Sequence, residues 1–114
     1  MPITSPREKF THELADIYDA EHQFLEAMGK MREKATAEKL QTMLEEHMQQ
    51  TEEQIRNLEQ VFAEAHEQPQ RQECMGAKGL VGEASKMMEE AGNDEIRDAI
   101  IAAGAAKAEH YEMA

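Results

Sequence analysis

Apolar residues recur three and four positions apart over most of this chain, the spacing that lines one face of an α-helix. Phe10, Leu14, Ile17, Phe24 and Met28 form one such face. Glu21 stands at its centre, where the pattern asks for another apolar side chain. SPRE at 5 to 8 supplies a capping Ser5, a first-turn Pro6 and, in Glu8, the acid of a capping box. A helix is therefore predicted from there to about Ala35, with Gly29 weakening its last turns without ending them.

A second helix is predicted over 37–66, capped by Thr36. Its stripe is Leu40, Leu44, His47, Thr51, Gln54, Leu58, Val61 and Ala65, and at 1.5 Å per residue it reaches about 45 Å. Two such helices joined by a tight corner form an antiparallel hairpin. HEQPQRQEC around Pro69 reads as a loop. A shorter helix follows, with Leu80, Val81, Ala84, Met87, Met88 and Ala91 on its apolar side. AGND ends it, with Gly92 suited to the left-handed position and Asn93 to capping the next helix. From Asp94 the helical pattern runs unbroken to Ala114 without a stop signal, so the chain reads as one cut short before a final helix.

Composition narrows the class. Aromatic residues make up 4% of the 114, Trp is absent, nine are Met, and there are three Pro and six Gly. A core of Leu, Ile, Ala and Met suits helices, and turn residues are too few for a β-sandwich. The expectation is an all-α bundle forming a single domain over 1–114.

The charge of −12, from 24 acids against 12 bases, repels phosphates and anionic lipid, and no basic patch offsets it. Nucleic-acid and membrane partners are not expected. Cys74 is the single cysteine, so no internal disulfide forms and a reducing compartment fits. MPITSPREKF lacks an apolar signal core, and no run approaches membrane length. A cytoplasmic location follows as the expectation.

The informative residues are polar ones inside apolar stripes. Glu21 on the first helix faces a layer of His47, Thr51 and Gln54 on the second. Glu109 and Glu112, one turn apart on the last helix, follow a face of Ala102, Ala105 and Ala106. AEH occurs at 20–22 and again at 108–110, as a duplicated helix pair would leave it. A carboxylate turned into an apolar interior must be paired, protonated or bound to a cation. Carboxylates with an imidazole make a ligand set suited to Fe, Mn or Zn. The same residues can also form a polar layer that fixes helix register and binds no metal. No phosphate loop, CxxC or nucleophile elbow is present.

HELADIYDAEHQFLEAMGKM, LEEHMQQTEEQIRNLEQVF, ECMGAKGLVGEA and the AEHYEMA ending, with the spacing HxxxTxxQ, resemble the YciE/YciF-type stress proteins of the ferritin-like superfamily over nearly the whole chain. The resemblance implies a ferritin-like bundle in a bacterial stress protein, a homodimer, and a dinuclear iron or manganese centre. That centre would support peroxide or oxygen chemistry or iron oxidation when complete, and would be impaired in a shortened chain. Carried onto this sequence, the metal residues would be Glu21, Glu109 and Glu112, with His47 joining if the helix register permits. Two departures stand out: Thr51 and Gln54 occupy the places of a Glu-x-x-His pair, and the family continues for about another helix and a half. The competing reading is a non-catalytic oligomerising bundle whose polar layer sets the register.

Overall fold

The computed structural model describes residues 5–113, which form four helices: α1 (Pro6–Lys34), α2 (Glu38–Glu64), α3 (Met75–Glu90) and α4 (Asp94–Met113). This is the all-α arrangement that the periodicity predicts, with two long antiparallel helices, a short one and a further long one. The expectation of helix at Ala114 lies outside the described residues.

Ser5 caps α1 as the sequence suggests, its Oγ accepting from the Glu8 N–H at 3.2 Å. Asn93 does the same for α4, accepting from the Ile96 N–H at 2.8 Å. Thr36 does not cap α2. Ala37 holds the N-cap position without a side-chain bond, and Asp98 reaches over from α4 instead. Its carboxylate accepts from Thr36 N–H (2.9 Å), Thr36 Oγ1 (2.7 Å) and Ala37 N–H (3.0 Å). A full negative charge with two oxygens serves a helix N-terminus better than one hydroxyl can.

Gly92 is not left-handed either. Among the described residues, the one with positive φ is His66 (φ 61°), just beyond the end of α2. There Glu67 N–H bonds Phe62 O (2.9 Å) and His66 N–H bonds Ala63 O (3.0 Å), the paired bonds of a Schellman ending. A histidine fills a place that glycine occupies at less steric cost.

The apolar side chains gather in two clusters. Leu14, Ala15, Tyr18, Ile55 and Phe62 pack at the open end of the hairpin. Phe24, Met28, Met31, Leu40 and Leu44 pack toward the corner with Cys74, Ala84, Met88 and Ile101 from the second half. Ile55 and Phe62, outside the predicted stripe, are buried, whereas Leu58, Val61 and Ala65 inside it are only partly so. Phe10 and Ile17, inside the predicted α1 stripe, are about half exposed (49% and 48%).

Residues between α2 and α3 run back along α1. Gln72 N–H bonds Ala15 O (3.1 Å), and buried Asp19 accepts from Gln23 Nε2 (2.6 Å), Cys74 N–H (2.7 Å) and Arg71 Nε (2.8 Å). Burial alone would push Asp19 up. The bonds from Cys74, Gln23 and Arg71 outweigh it and hold the carboxyl below its ordinary range. Asp19 thereby fixes where α3 begins and where Cys74 points.

Candidate metal centre

The polar layer lies between the two apolar clusters, as the order of residues along α1 and α2 requires. Glu21 of α1 is buried at 5% exposure. Its carboxyl meets that of Glu112 of α4, and the Gln54 amide stands within 2.9 Å of Glu21 Oε2 and 3.1 Å of Glu112 Oε2. Burial, and then the charge and hydrogen bond of Glu112, push the Glu21 carboxyl up to about 7, against a smaller pull downward from His47.

His47 approaches from α2, its Nε2 standing 3.7 Å from Glu112 Oε1. That is beyond hydrogen-bond length but close enough for charge attraction. Glu112 raises the titration of the imidazole above its ordinary value, burial opposes it, and Glu109 and Glu21 add smaller upward pulls. Glu112 Oε1 is buried with no hydrogen-bond partner.

Gln54 spans the pair. With its amide turned Nε2 inward, it donates to Glu21 Oε2 at 2.9 Å and to Glu112 Oε2 at 3.1 Å. The opposite orientation sets Oε1 against the same acceptors. The amide reaches inward from a residue that is otherwise exposed. Thr51, fully buried, spends its hydroxyl on His47 O (3.0 Å) within its own helix.

Of the four candidate residues, the fold thus gathers Glu21, His47 and Glu112. Glu109, one turn before Glu112, is exposed and lines a neighbouring groove with His47, Met43 and Gln50. The two AEH triplets are therefore not equivalent: Ala20 and Ala108 are both buried, but Glu21 faces inward and Glu109 outward.

A cavity of about 370 Å³, lined by Asp16, Ile17, Ala20, Glu21, Phe24, Tyr111 and Glu112, opens beside the carboxylates. Tyr111 is the residue that sequence reasoning missed. Its phenol lies 3.1 Å from Cys74 Sγ, and its ring meets Phe24 edge-on at 5.7 Å. It also covers Gly76, where an added Cβ would come within 2.8 Å of Oη and 2.9 Å of Cε2. Contact with Cys74, and then burial, push the phenol up to about 12, so it stays protonated. This dock holds the last described turn of α4 and presents Glu112. A Gly two residues after the buried Cys was the available signal, legible only once the far end of the chain is known to pass over it.

As the side chains stand, no three His, Cys, Asp or Glu groups among the described residues enclose one point. The donor chemistry nevertheless suits a single divalent cation. Two touching carboxylates need a proton or cation between them, and an imidazole and an unpartnered oxygen lie within a short movement of that place.

Comparison with known proteins agrees with the fold. The family model DUF892, described as a domain of unknown function, matches residues 5–114. Protein YciF of Escherichia coli K12 is 35% identical over 115 residues, covering 100% of this chain and 69% of that protein. The structure of YcfI from Rhodopseudomonas palustris superposes with a TM-score of 0.90 at 37% identity, over 96% of this chain and 70% of its own. The structure of the E. coli stress protein YciF gives a TM-score of 0.84 at 34% identity, with coverage of 96% and 70%. Among the described residues no helix is long and apolar enough to cross a membrane.

Proposed function

The chain belongs to the DUF892 family, and from that premise we propose that it is a stress-related protein whose Glu21, Glu112 and His47 hold a divalent cation. Stress is the role named for its relative YciF. The observation that carries the cation is the convergence of the Glu21 and Glu112 carboxyls on one amide, with His47 3.7 Å from the buried, unpartnered Glu112 Oε1. Evolution of a helical interior supplies leucine at such a place at no electrostatic cost, whereas two acids there require a positive partner.

Iron or manganese bound there would supply redox chemistry toward peroxide or oxygen. The residues themselves do four things. Glu21 and Glu112 bring two charges from opposite helices to one point, which neutralises a divalent ion. His47 offers a nitrogen from α2. Phe24 and Tyr111 wall the cavity beside the carboxylates. Tyr111, held by Cys74, fixes the α4 end of the site. A dinuclear centre would need a further acid, and Glu109, beyond His47, is the nearest candidate that the sequence offers.

Metal content of purified protein, measured by mass spectrometry, tests this reading. Glu21→Ala should carry no iron or manganese above background while the native chain carries at least a partial equivalent. Equal metal in both removes Glu21 from the site. Pairing of two chains over the exposed Phe10 and Ile17 beside the cavity belongs to the same proposal. Sedimentation should give twice the chain mass, with Ile17→Glu shifting it toward the monomer.

One observation favours the metal-free reading: the Gln54 amide can donate to one oxygen of each carboxylate at once. On that reading the layer fixes register, and neither chelator nor added metal changes the unfolding midpoint. A rise in midpoint with manganous ion counts against it, since a ligand that binds only the folded chain stabilises it.

A further inference from the structure

Gln54 makes sense as a group with two ends. We propose that the Gln54 side chain is a rotating ligand, whose amide presents Nε2 to the two carboxylates in the absence of a cation and turns Oε1 inward when one binds. The inference rests on the cation reading of Glu21, Glu112 and His47 and adds a fourth, neutral ligand to it.

The geometry for both states is on the same side chain. An NH2 group carries two hydrogens, and here one carboxylate oxygen stands in reach of each, at 2.9 and 3.1 Å. Two N–H···O bonds therefore tie α1 to α4 through α2 when no ion is present. A cation drawn to those oxygens would meet the positive edge of the same NH2. Turning the last torsion by half a circle replaces that edge with a carbonyl oxygen, a hard ligand of the kind that carboxylate sites accept.

The turn is easy for two physical reasons. The final Gln torsion joins sp3 to sp2 carbon, so its profile is broad and roughly two-fold. Gln54 is also exposed apart from its amide contacts, so the outward end finds water in either orientation and no buried group is orphaned. A glutamine sealed in the core would lose a hydrogen bond by turning.

Other residues at this position would serve only one state. A Glu would repel two carboxylates without the ion, and a Lys or Arg would occupy the cation's place. Thr51, one turn away, cannot substitute because its hydroxyl is committed to His47 O. Neutrality also matters for charge: two carboxylates balance one divalent ion, and an amide oxygen adds coordination without adding charge.

The test is the Gln54 side-chain NH2 resonance in 15N–1H spectra of the full chain, assigned by its loss in Gln54→Met. Diamagnetic Zn2+ is the probe. Without metal the two amide protons should be shifted downfield and protected from exchange by the carboxylates. On saturation with Zn2+, they should move to solvent-exposed positions and exchange at least about tenfold faster. Zn2+ binding that perturbs the His47 ring while the Gln54 protons keep their shift and protection overturns the rotation and leaves the cation site standing. Failure of Zn2+ to bind at millimolar concentration overturns both.

Discussion

Glu21→Gln isolates the electrostatic claim on which the site depends. In the fold this carboxyl titrates at about 7, whereas its ordinary value is 4.5. Between those values the folded chain holds a proton that the unfolded chain has released. Stability therefore falls as pH rises through the window, and the loss is complete above about 7. At about 1.36 kcal/mol per tenfold change in proton affinity, the cost at pH 8 is about 3 kcal/mol. His47 works in the same direction. Glu112 raises it, so its contribution is full below its ordinary value and is lost as pH rises past its folded one. A glutamine at 21 cannot ionise and still offers an amide to Glu112. Metal-free urea unfolding, followed by circular dichroism at pH 5, 6, 7 and 8, should show the native chain losing stability with pH. The variant should match it near pH 5, exceed it by about 3 kcal/mol at pH 8, and keep only the shallow slope due to His47. A native chain equally stable at pH 5 and 8, or a variant that falls as steeply, would refute the raised titration of Glu21.

Two further substitutions probe how the layer is held. Gly76→Ala puts a Cβ within 2.8 to 3.1 Å of three Tyr111 atoms; overpacking of this kind costs about 1–3 kcal/mol, and Zn2+ affinity should drop with it because Glu112 is the next residue. Unaltered urea midpoint and affinity would mean that Tyr111 does not set the end of α4. Asp98→Asn weakens the three bonds to Thr36 and Ala37, so the thermal midpoint should fall at pH 7. Those bonds hold the Asp98 carboxyl below its ordinary range, so the difference from the native chain should close as pH drops through that range, the opposite sense to Glu21. A difference that persists undiminished at pH 3 would rule out the charge on Asp98 as its source.

The helices were legible because their signals are local. SPRE and the spacing from Phe10 to Met28 specify α1 within a few turns, and Asn93 announces α4. What the sequence did not show comes from contacts across the fold. Thr36 has every local credential of a cap, yet it loses that place to Asp98, 62 positions away, because a carboxylate satisfies three donors at once. Gly92 has the local credential for a left-handed turn, but α3 ends in extended backbone at Ala91, while the Schellman bonds at Phe62 and Ala63 hold His66 there.

The site divides in the same way. Glu21 and His47 were identifiable as polar interruptions of apolar stripes, a local anomaly with a physical cost. Glu109 and Glu112 looked interchangeable, since both continue the alanine face of α4. The fold separates them through Tyr111: the ring must lie over Gly76 and against Cys74, and that rotation of α4 sends Glu112 toward Glu21 and Glu109 toward the groove beside His47. The choice of acid is thus made by a glycine and a cysteine more than thirty residues earlier, themselves placed by Asp19 on α1. A buried carboxylate that carries no metal role in this scheme decides which carboxylates can.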